Sequence, residues 1–209
     1  KLAPIQARHP NHYWTSDLTT LELGRTFFLA TILDLHSRDV LAWNLFAGQP
    51  SSEQVTALFD SAVSRHGNPK HFVSDQGGQF LGDAFEAALA DRGIDHRRGA
   101  VGQHGSIAII ERLWRTAKEC LDLKTARPNV PALLRERIAV VIDYYKTKRP
   151  HTALGNATPA ETHRGEPSRA ATATPAPRGW RGEASPPPPF VIRHAFPDEQ
   201  KLPYLERIA

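Results

Sequence analysis

The first fifty residues carry their apolar side chains in the way that is typical of β-strands. Aromatic and β-branched residues are enriched over residues 12–20 and 26–35, with a Gly-Arg turn between them, and a third such run covers residues 39–46. No helical segment separates these runs. Because parallel strands need a long crossover connection, the pattern predicts three successive antiparallel strands.

After residue 50 the apolar spacing becomes that of a helix. Ser51 or Ser52 is the expected N-cap, and the helix is expected to end at Gly67. The apolar positions that recur at intervals of three and four are Val55, Leu58, Phe59 and Val63. One amphipathic helix is therefore predicted directly after the three strands.

Two short strands and a second helix follow. Residues 71–75 (HFVSD) are apolar and β-branched enough for a short strand, and DHRRGA from residue 95 is the last one. Between them, residues 82–92 are predicted to be helical, with Gly93 where a left-handed C-cap belongs. Together with the helix predicted after residue 105, the order is βββαβαβα, which indicates an α/β fold.

Glycines at 99, 102 and 105 predict a mobile loop, after which two further helices are expected. The first covers residues 106–124 and is capped by Ser106. The second extends from a cap at Asn129 through Tyr145. These two helices complete the predicted core.

Beyond Glu166 the composition shifts to Pro, Ala, Arg and Thr, which cannot build a packed core. Apolar residues return at the end of the chain, and that segment is expected to dock on the domain or on another subunit. The predicted organisation is a leader over residues 1–11, a core domain over 12–165, a linker over 166–189 and a tail over 190–209.

The composition excludes some classes of protein and leaves others open. No run of about 18 apolar residues occurs, so no membrane span is expected. The single cysteine, Cys120, cannot form an intramolecular disulfide and fits a reducing compartment. The absence of methionine suggests a fragment whose start lies upstream. The net charge of +4 is compatible with a polyanionic partner but does not establish one.

Three carboxylates stand where the predicted elements could bring them together. Asp17 lies in the first strand, Asp75 ends the strand HFVSD, and Glu111 lies in the helix after the glycine-rich loop. Like charges at close range raise one another's pKa unless cations neutralise them. Mg²⁺ prefers such hard oxygen ligands, and a pair of ions can activate an attacking hydroxyl and stabilise the leaving oxygen. The pattern therefore indicates phosphodiester chemistry.

At these residues the chain resembles the integrase core of retroviral integrases and bacterial insertion-sequence transposases. The 35 residues between Asp75 and Glu111 equal the spacing of that family's Asp-Asp-Glu motif. YWTSDLTT and FFLATILDLHSRDVLAWNL resemble its first three strands, and HFVSDQGGQF its second-aspartate motif. IERLWRTAKE resembles the glutamate helix and YYKTKRPHTALGNATPAE the closing segment, so the match covers residues 13–162.

The resemblance implies a ribonuclease H-like fold: a mixed five-stranded sheet, three antiparallel strands and then two parallel ones, flanked by helices, with an irregular Pro-rich C-terminal extension. It implies hydrolysis at a transposon end, followed by attack of the exposed 3′-hydroxyl on target DNA, with two Mg²⁺ or Mn²⁺ ions held by Asp17, Asp75 and Glu111. The expected partners are double-stranded DNA and further copies of the chain, in a dimer or larger synaptic assembly in the nucleoid region of a bacterial cytoplasm. An upstream helix-turn-helix domain is expected, as in other members.

Each carboxylate also has an ordinary structural interpretation. Asp34 in the second strand is the rival of Asp17 for the catalytic role, and is otherwise a turn residue paired with Arg38. Asp75 could simply begin the turn Asp-Gln-Gly-Gly, and Glu111 could be a solvated helix residue. The motif spacing favours the catalytic interpretation for Asp17, Asp75 and Glu111.

Several polar side chains are candidates for DNA contact. Arg115 and Lys118 fall close to the helix face that bears Glu111, and could instead be a solvated face. Gln103 and His104 lie in the glycine-rich loop. The cluster that could follow a DNA backbone, or form an ordinary helix end, is Lys146, Lys148, Arg149 and His151.

The chain departs from the family at Ile107, where many members carry an amide side chain four residues before the glutamate. The contacts usually assigned to that amide are therefore in doubt here. Three tryptophans, Trp14, Trp43 and Trp114, are expected to pack in the core. The alternatives to a transposase are a ribonuclease H-like nuclease without strand transfer and a non-catalytic DNA-binding relic.

Overall fold

A mixed five-stranded sheet organises the chain in the computed structural model, which describes residues 5–98, 104–121, 131–168, 190–196 and 201–207. The strands of this sheet are β1 Tyr13–Glu22, β2 Thr26–Asp34, β3 Val40–Phe46, β4 His71–Ser74 and β5 Asp95–Arg98. The helices are α1 Ser52–His66, α2 Gly78–Leu81, α3 Asp83–Ala90, α4 His104–Leu121, α5 Pro131–Thr147 and α6 Pro159–Arg164, with a 3-10 turn at Thr152–Leu154.

The strand order is β3-β2-β1-β4-β5. β1 pairs antiparallel with β2, and β2 antiparallel with β3, because short turns connect these strands. β4 lies parallel to β1, and β5 parallel to β4, since helices form the crossovers. The predicted sheet of three antiparallel strands followed by two parallel ones is confirmed.

Residue alternation along β1 divides the core into two layers. Tyr13 and Leu21 belong to the apolar cluster that includes the buried side chains of α4 and α5. Trp14 belongs to the cluster formed with α1 and α3 on the opposite side of the sheet. Asp17 has the parity of Tyr13 and Leu21, so the strand directs it toward the α4 layer.

Local sequence explains where α1 begins. Ser51 is the N-cap: its hydroxyl accepts from the Gln54 amide at 3.4 Å, while the Gln54 side chain accepts from the Ser51 amide at 3.0 Å. Ser52, the alternative cap, instead accepts from the backbone amide of Phe85 at 3.3 Å. This contact ties the start of α1 to α3.

Some predicted boundaries were wrong. α4 begins at His104, so Ser106 lies inside the helix and is not its cap. Gly93 has the expected left-handed backbone, with φ of 64°, but α3 already ends at Ala90. The predicted cap at Asn129 lies outside the described residues. No helix in the described ranges is long and apolar enough to cross a membrane.

The C-terminal tail, which was expected to dock on the domain or on another subunit, contains an antiparallel hairpin. Its strands are β6 Phe190–Phe196 and β7 Lys201–Arg207. The Arg137 guanidinium of α5 lies 5.2 Å from the centroid of the Phe196 ring. The Tyr144 hydroxyl of α5 donates to the carbonyl of Pro203 at 3.4 Å. The hairpin therefore docks on α5 of the same chain.

Candidate active site

The parallel pairing of β1 with β4 brings the two aspartates side by side. Tyr13 pairs with His71 and Thr15 with Val73. Continuing this register by two residues puts Asp17 opposite Asp75, which directly follows the last residue of β4. The carboxyl ends of parallel strands are the usual place for a site in such sheets. Here the site forms where β4 stops and β1 continues.

Helix α4 brings the third carboxylate to the same face of the sheet. Its buried stripe packs on the β1 layer and consists of Ile110, Leu113, Trp114, Ala117 and Leu121. Glu111 borders this stripe and is exposed. In the part of the chain whose side chains are described, Glu111 has no hydrogen-bond or ion-pair partner. Its carboxylate is therefore available to a ligand.

Asp17 is held by two hydrogen-bond donors. The indole nitrogen of Trp114 donates to its Oδ2 at 2.9 Å, and the backbone amide of Leu18 donates to its Oδ1 at 2.8 Å. Burial nevertheless raises the pKa of Asp17, against the effect of these bonds, and the charges of Asp75 and Glu111 raise the pKa further. The three carboxylates thus act on one another electrostatically.

Trp114 was expected to pack in the core, and it does, at 7% exposure. Its second role, orienting Asp17, was missed by the sequence analysis. The available signal was its position three residues after Glu111, which places both side chains on neighbouring parts of one helix surface.

A tight turn holds Asp75. Its Oδ1 accepts from the backbone amide of Gly77 at 3.0 Å, so the turn-forming role considered from the sequence exists alongside any catalytic one. A Cβ at position 77 would overlap the side-chain amide of Gln79 and lie 3.0 Å from Asp75 Oδ1. A side chain at position 77 would therefore displace the Gln79 amide and crowd the Asp75 carboxylate, which glycine avoids.

A buried polar relay lies behind Asp75. The Ser74 hydroxyl donates to the carbonyl of Asp75 at 2.9 Å and lies 2.9 Å from His96 Nε2. His96 Nδ1 lies 2.7 Å from a carboxylate oxygen of Glu86, which also pairs with Arg98 at 2.6 Å. Burial lowers the pKa of His96. The relay joins β4, β5 and α3 beneath the site, and no local sequence signal pointed to it.

We expect His96→Leu to lower the free energy of unfolding by about 2 kcal/mol, because it leaves buried polar groups of Ser74 and Glu86 without their ring partner. Urea denaturation measures the loss. His96→Gln, which can bond one of the two groups, should lose less. Equal losses for the two variants would show that the ring packs without acting as a polar link.

The carboxylates of the site supply oxygen donors of the kind that a divalent ion binds. Mg²⁺ requires hard oxygen ligands and is often held by only one or two protein carboxylates together with substrate phosphates. Asp17 and Asp75 meet that requirement, and a cation would offset the negative charges of Asp75 and Glu111 that act on Asp17. Among the described residues no group of three His, Cys, Asp or Glu side chains is arranged to hold a metal ion. The pair of aspartates fits such an ion, with Glu111 beside it.

Asp34, the rival of Asp17, has a structural role. It is fully buried, and its carboxylate accepts from the amides of Asn11 and Ser37, both at 2.7 Å, and from the Ser37 hydroxyl at 2.7 Å. The partner expected from the sequence, Arg38, contributes its backbone amide to the Asp34 carbonyl at 2.8 Å. Asp34 therefore anchors the β2–β3 turn.

The candidate DNA contacts lie in different places. Arg115 and Lys118 are exposed on the face of α4 that bears Glu111. His104 is the first residue of α4, and Gln103 lies outside the described residues. Lys146 donates to the carbonyl of Val40 at 2.6 Å and lies 3.5 Å from the Asp39 carboxylate. The Lys146 ammonium is thus engaged within the fold.

The two remaining cations follow α5. Arg149 is half-buried and donates to the Thr116 hydroxyl at 2.8 Å. Lys148 is half-buried and lies beside the docked hairpin, near His194. The predicted cluster at the end of α5 is therefore divided between three different surroundings.

Comparison with solved structures supports the fold. The HTLV-2 integrase catalytic core domain in complex with magnesium, in its trimeric form, superposes with a TM-score of 0.63 at 22% identity, covering 76% of this chain and 99% of that chain. A chain of the simian T-cell lymphotropic virus intasome in complex with PP2A regulatory subunit B56 gamma superposes with a TM-score of 0.66 at 20% identity, covering 89% and 65%. The ribonuclease H-like, integrase-core fold is thereby confirmed.

Sequence comparison gives the same family. The putative transposase InsK of insertion sequence element IS150 from Escherichia coli (strain K12) is 28% identical over 75% of this chain, and the transposase of IS904 from Lactococcus lactis is 25% identical over 75%. The chain spans 56% and 63% of the length of these two relatives. Two family models, both described as Integrase core domain, match residues 7–104 and 92–159. The chain therefore belongs to the integrase core domain family, which includes insertion-sequence transposases.

Proposed function

We propose that this chain is the catalytic core of a DNA transposase, which hydrolyses a phosphodiester at a transposon end and joins the 3′-hydroxyl to target DNA. The observation that carries the proposal is the sheet register that puts Asp17 opposite Asp75, with Glu111 on the helix that packs over the same face of the sheet. The family matches cover all three residues. The transposase relatives support DNA as the substrate.

Asp17, Asp75 and Glu111 would hold divalent ions, Mg²⁺ or Mn²⁺, with two expected once DNA is bound. Such ions activate the attacking water or hydroxyl and stabilise the leaving oxygen. The chain itself fixes the ligands: Trp114 and the amide of Leu18 orient Asp17. The turn at Gly77 orients Asp75.

The exposed cations of α4 are proposed to hold DNA beside these carboxylates. Arg115 and Lys118 share the Glu111 face, since residues three and four apart on a helix are neighbours. His104, Gln103, Lys148 and Arg149 complete the proposed DNA-facing set. Lys146 is left out because its ammonium already bonds Val40 and Asp39.

The proposed partners are transposon ends, target DNA and further copies of this chain. The related HTLV-2 core domain is described in dimeric and trimeric forms, and the simian viral protein in an intasome. Joining two DNA ends in one event requires two active sites held together, which supports a dimer or larger assembly.

The test is an assay of cutting and joining on short labelled duplexes that carry transposon-end sequence, with Mn²⁺. Products longer than the substrate show strand transfer, because only joining lengthens a labelled strand. Shortened strands alone would show a nuclease and overturn the transferase half of the proposal. A precut substrate with a free 3′-hydroxyl separates the joining step from the cutting step.

Mn²⁺ is expected to raise the melting temperature of the chain without DNA. Binding at a hundred times the Kd contributes about 2.7 kcal/mol, or about 5 to 10 °C for a domain of this size. Asp75→Asn should lose the shift, whereas Asp91→Asn, at the exposed aspartate that follows α3, should keep it. An equal shift in both variants would show that the metal binds elsewhere.

A further inference from the structure

A basic pocket lies between α4, the end of α5 and the β2–β3 turn. Its volume is about 370 Å³. We call it the arginine pocket. The residues that matter here are Arg38, Arg112, Thr116, Tyr145, Arg149 and His151.

The charge of the arginine pocket is uncompensated. Three guanidinium groups line it and no carboxylate does. Arg149 donates to the Thr116 hydroxyl at 2.8 Å. In the described part of the chain, none of the three arginines has an ion pair with Asp or Glu. A concave site lined by one sign of charge concentrates ions of the opposite sign.

Arg38 occupies its position at a conformational cost. Its backbone φ of 62° lies in the left-handed region, which residues other than glycine and asparagine rarely adopt. The turn would accept glycine or asparagine more easily, so turn formation does not explain an arginine there. The position of the Arg38 side chain, which is half-buried and lines the pocket, explains why an arginine stands there.

His151 adds an unused polar atom. Its Nε2 is buried and has no hydrogen-bond partner, while its ring packs edge-on against Tyr145 with centroids 4.8 Å apart. Burial and then the charges of Arg149, Arg38 and Arg112 lower the pKa of His151 to about 4. A bound anion would reverse that electrostatic effect.

We propose that the arginine pocket binds a phosphate group of the DNA backbone, at a position separate from the phosphodiester that reacts. Arginine forks match phosphate oxygens, and three of them converge here. The α4 residues that line the pocket, Ile109, Arg112 and Thr116, lie about 100° to 160° around the helix from Glu111, so the pocket opens on a different face of α4 from the carboxylates. The proposal rests on the proposed function for its source of phosphate.

The experiment uses the full chain without divalent metal, so that binding is read apart from catalysis. DNA affinity is measured by fluorescence anisotropy over a series of salt concentrations for wild type, Arg38→Asn, Arg112→Gln and the control Arg65→Gln. Arg65 is exposed on α1, where it bonds to Ser61 of its own helix. Each pocket variant should lose about tenfold in affinity and lower the salt slope by about 1. The control should match wild type.

Inorganic phosphate is the second probe, and its binding is monitored through the NMR signals of the His151 ring. Phosphate should shift these signals, raise the pKa of His151 and compete with DNA in wild type, but not in Arg112→Gln. Phosphate binding with unchanged DNA affinity in both variants would overturn the proposal in favour of a free-anion site. Absence of both effects would also overturn it. If the wild-type chain shows these phosphate and DNA effects but does not join DNA strands, the result counts against the proposed function and leaves the pocket proposal standing.

Discussion

Glu111→Gln is expected to lower DNA cutting and joining at least about a thousand-fold. Neutralising a metal-binding carboxylate removes several kcal/mol of transition-state stabilisation, and each 1.36 kcal/mol is about a factor of ten in rate. Glu111 is exposed and has no partner among the described side chains, so the substitution should leave the melting temperature of the metal-free chain almost unchanged. The rate on a precut duplex with Mn²⁺ is the measurement.

Glu119→Gln is the matched control. Glu119 is exposed on the same helix, about two turns beyond Glu111 and about 80° around the helix from it. This variant should join DNA as wild type does. If Glu111→Gln keeps wild-type activity, Glu111 is a solvated helix residue and the assignment of the third ligand fails. If neither protein acts but Mn²⁺ still raises the melting temperature, the chain binds metal without assembling on DNA.

The parts of the fold that could be predicted are those in which apolar residues recur with a regular period along the sequence. Strand alternation over residues 12–46 and helical spacing around Val55 are repeated signals, and short connections exclude parallel pairing of the first three strands. The register that aligns Asp17 with Asp75 could be anticipated from their places in strands that pair in this order. The spacing to Glu111 then identified the helix that covers them.

The rest depended on contacts between distant segments. Trp114 reaches Asp17 across 97 positions of sequence, and His96 meets Ser74 across 22. Lys146 looked like part of a basic cluster, yet its partner Asp39 lies in a turn more than a hundred residues earlier. Each of these pairs is decided by which side chains the sheet and helices place together, and no local pattern encodes it.

Acidification is expected to destabilise the chain strongly between pH 6.5 and pH 4. Burial lowers the pKa of His151 to about 4 and that of His66 to about 4. Around His66 the nearby charges are His163 of α6, Lys146 of α5 and its neighbour Arg65. Around His151 they are the three arginines of the arginine pocket.

The sign follows from proton binding. Between pH 6.5 and 4 the unfolded chain binds protons at these two histidines and the folded chain does not, so the free energy of unfolding falls as the pH falls. The two groups together contribute a loss of about 3 kcal/mol by pH 5, after allowance for solvent screening of His66. Burial raises the pKa of Asp17 and of Asp39, which opposes this loss at the acid end of the window.

Urea denaturation at pH 7.5, 6 and 5 measures the effect. His151→Gln and His66→Gln should each reduce the dependence on pH. Inorganic phosphate in the arginine pocket should reduce the acid loss in wild type, because an anion stabilises the protonated His151 ring. A free energy of unfolding that stays constant from pH 7.5 to pH 5 would show that these histidines titrate alike in the folded and unfolded chain.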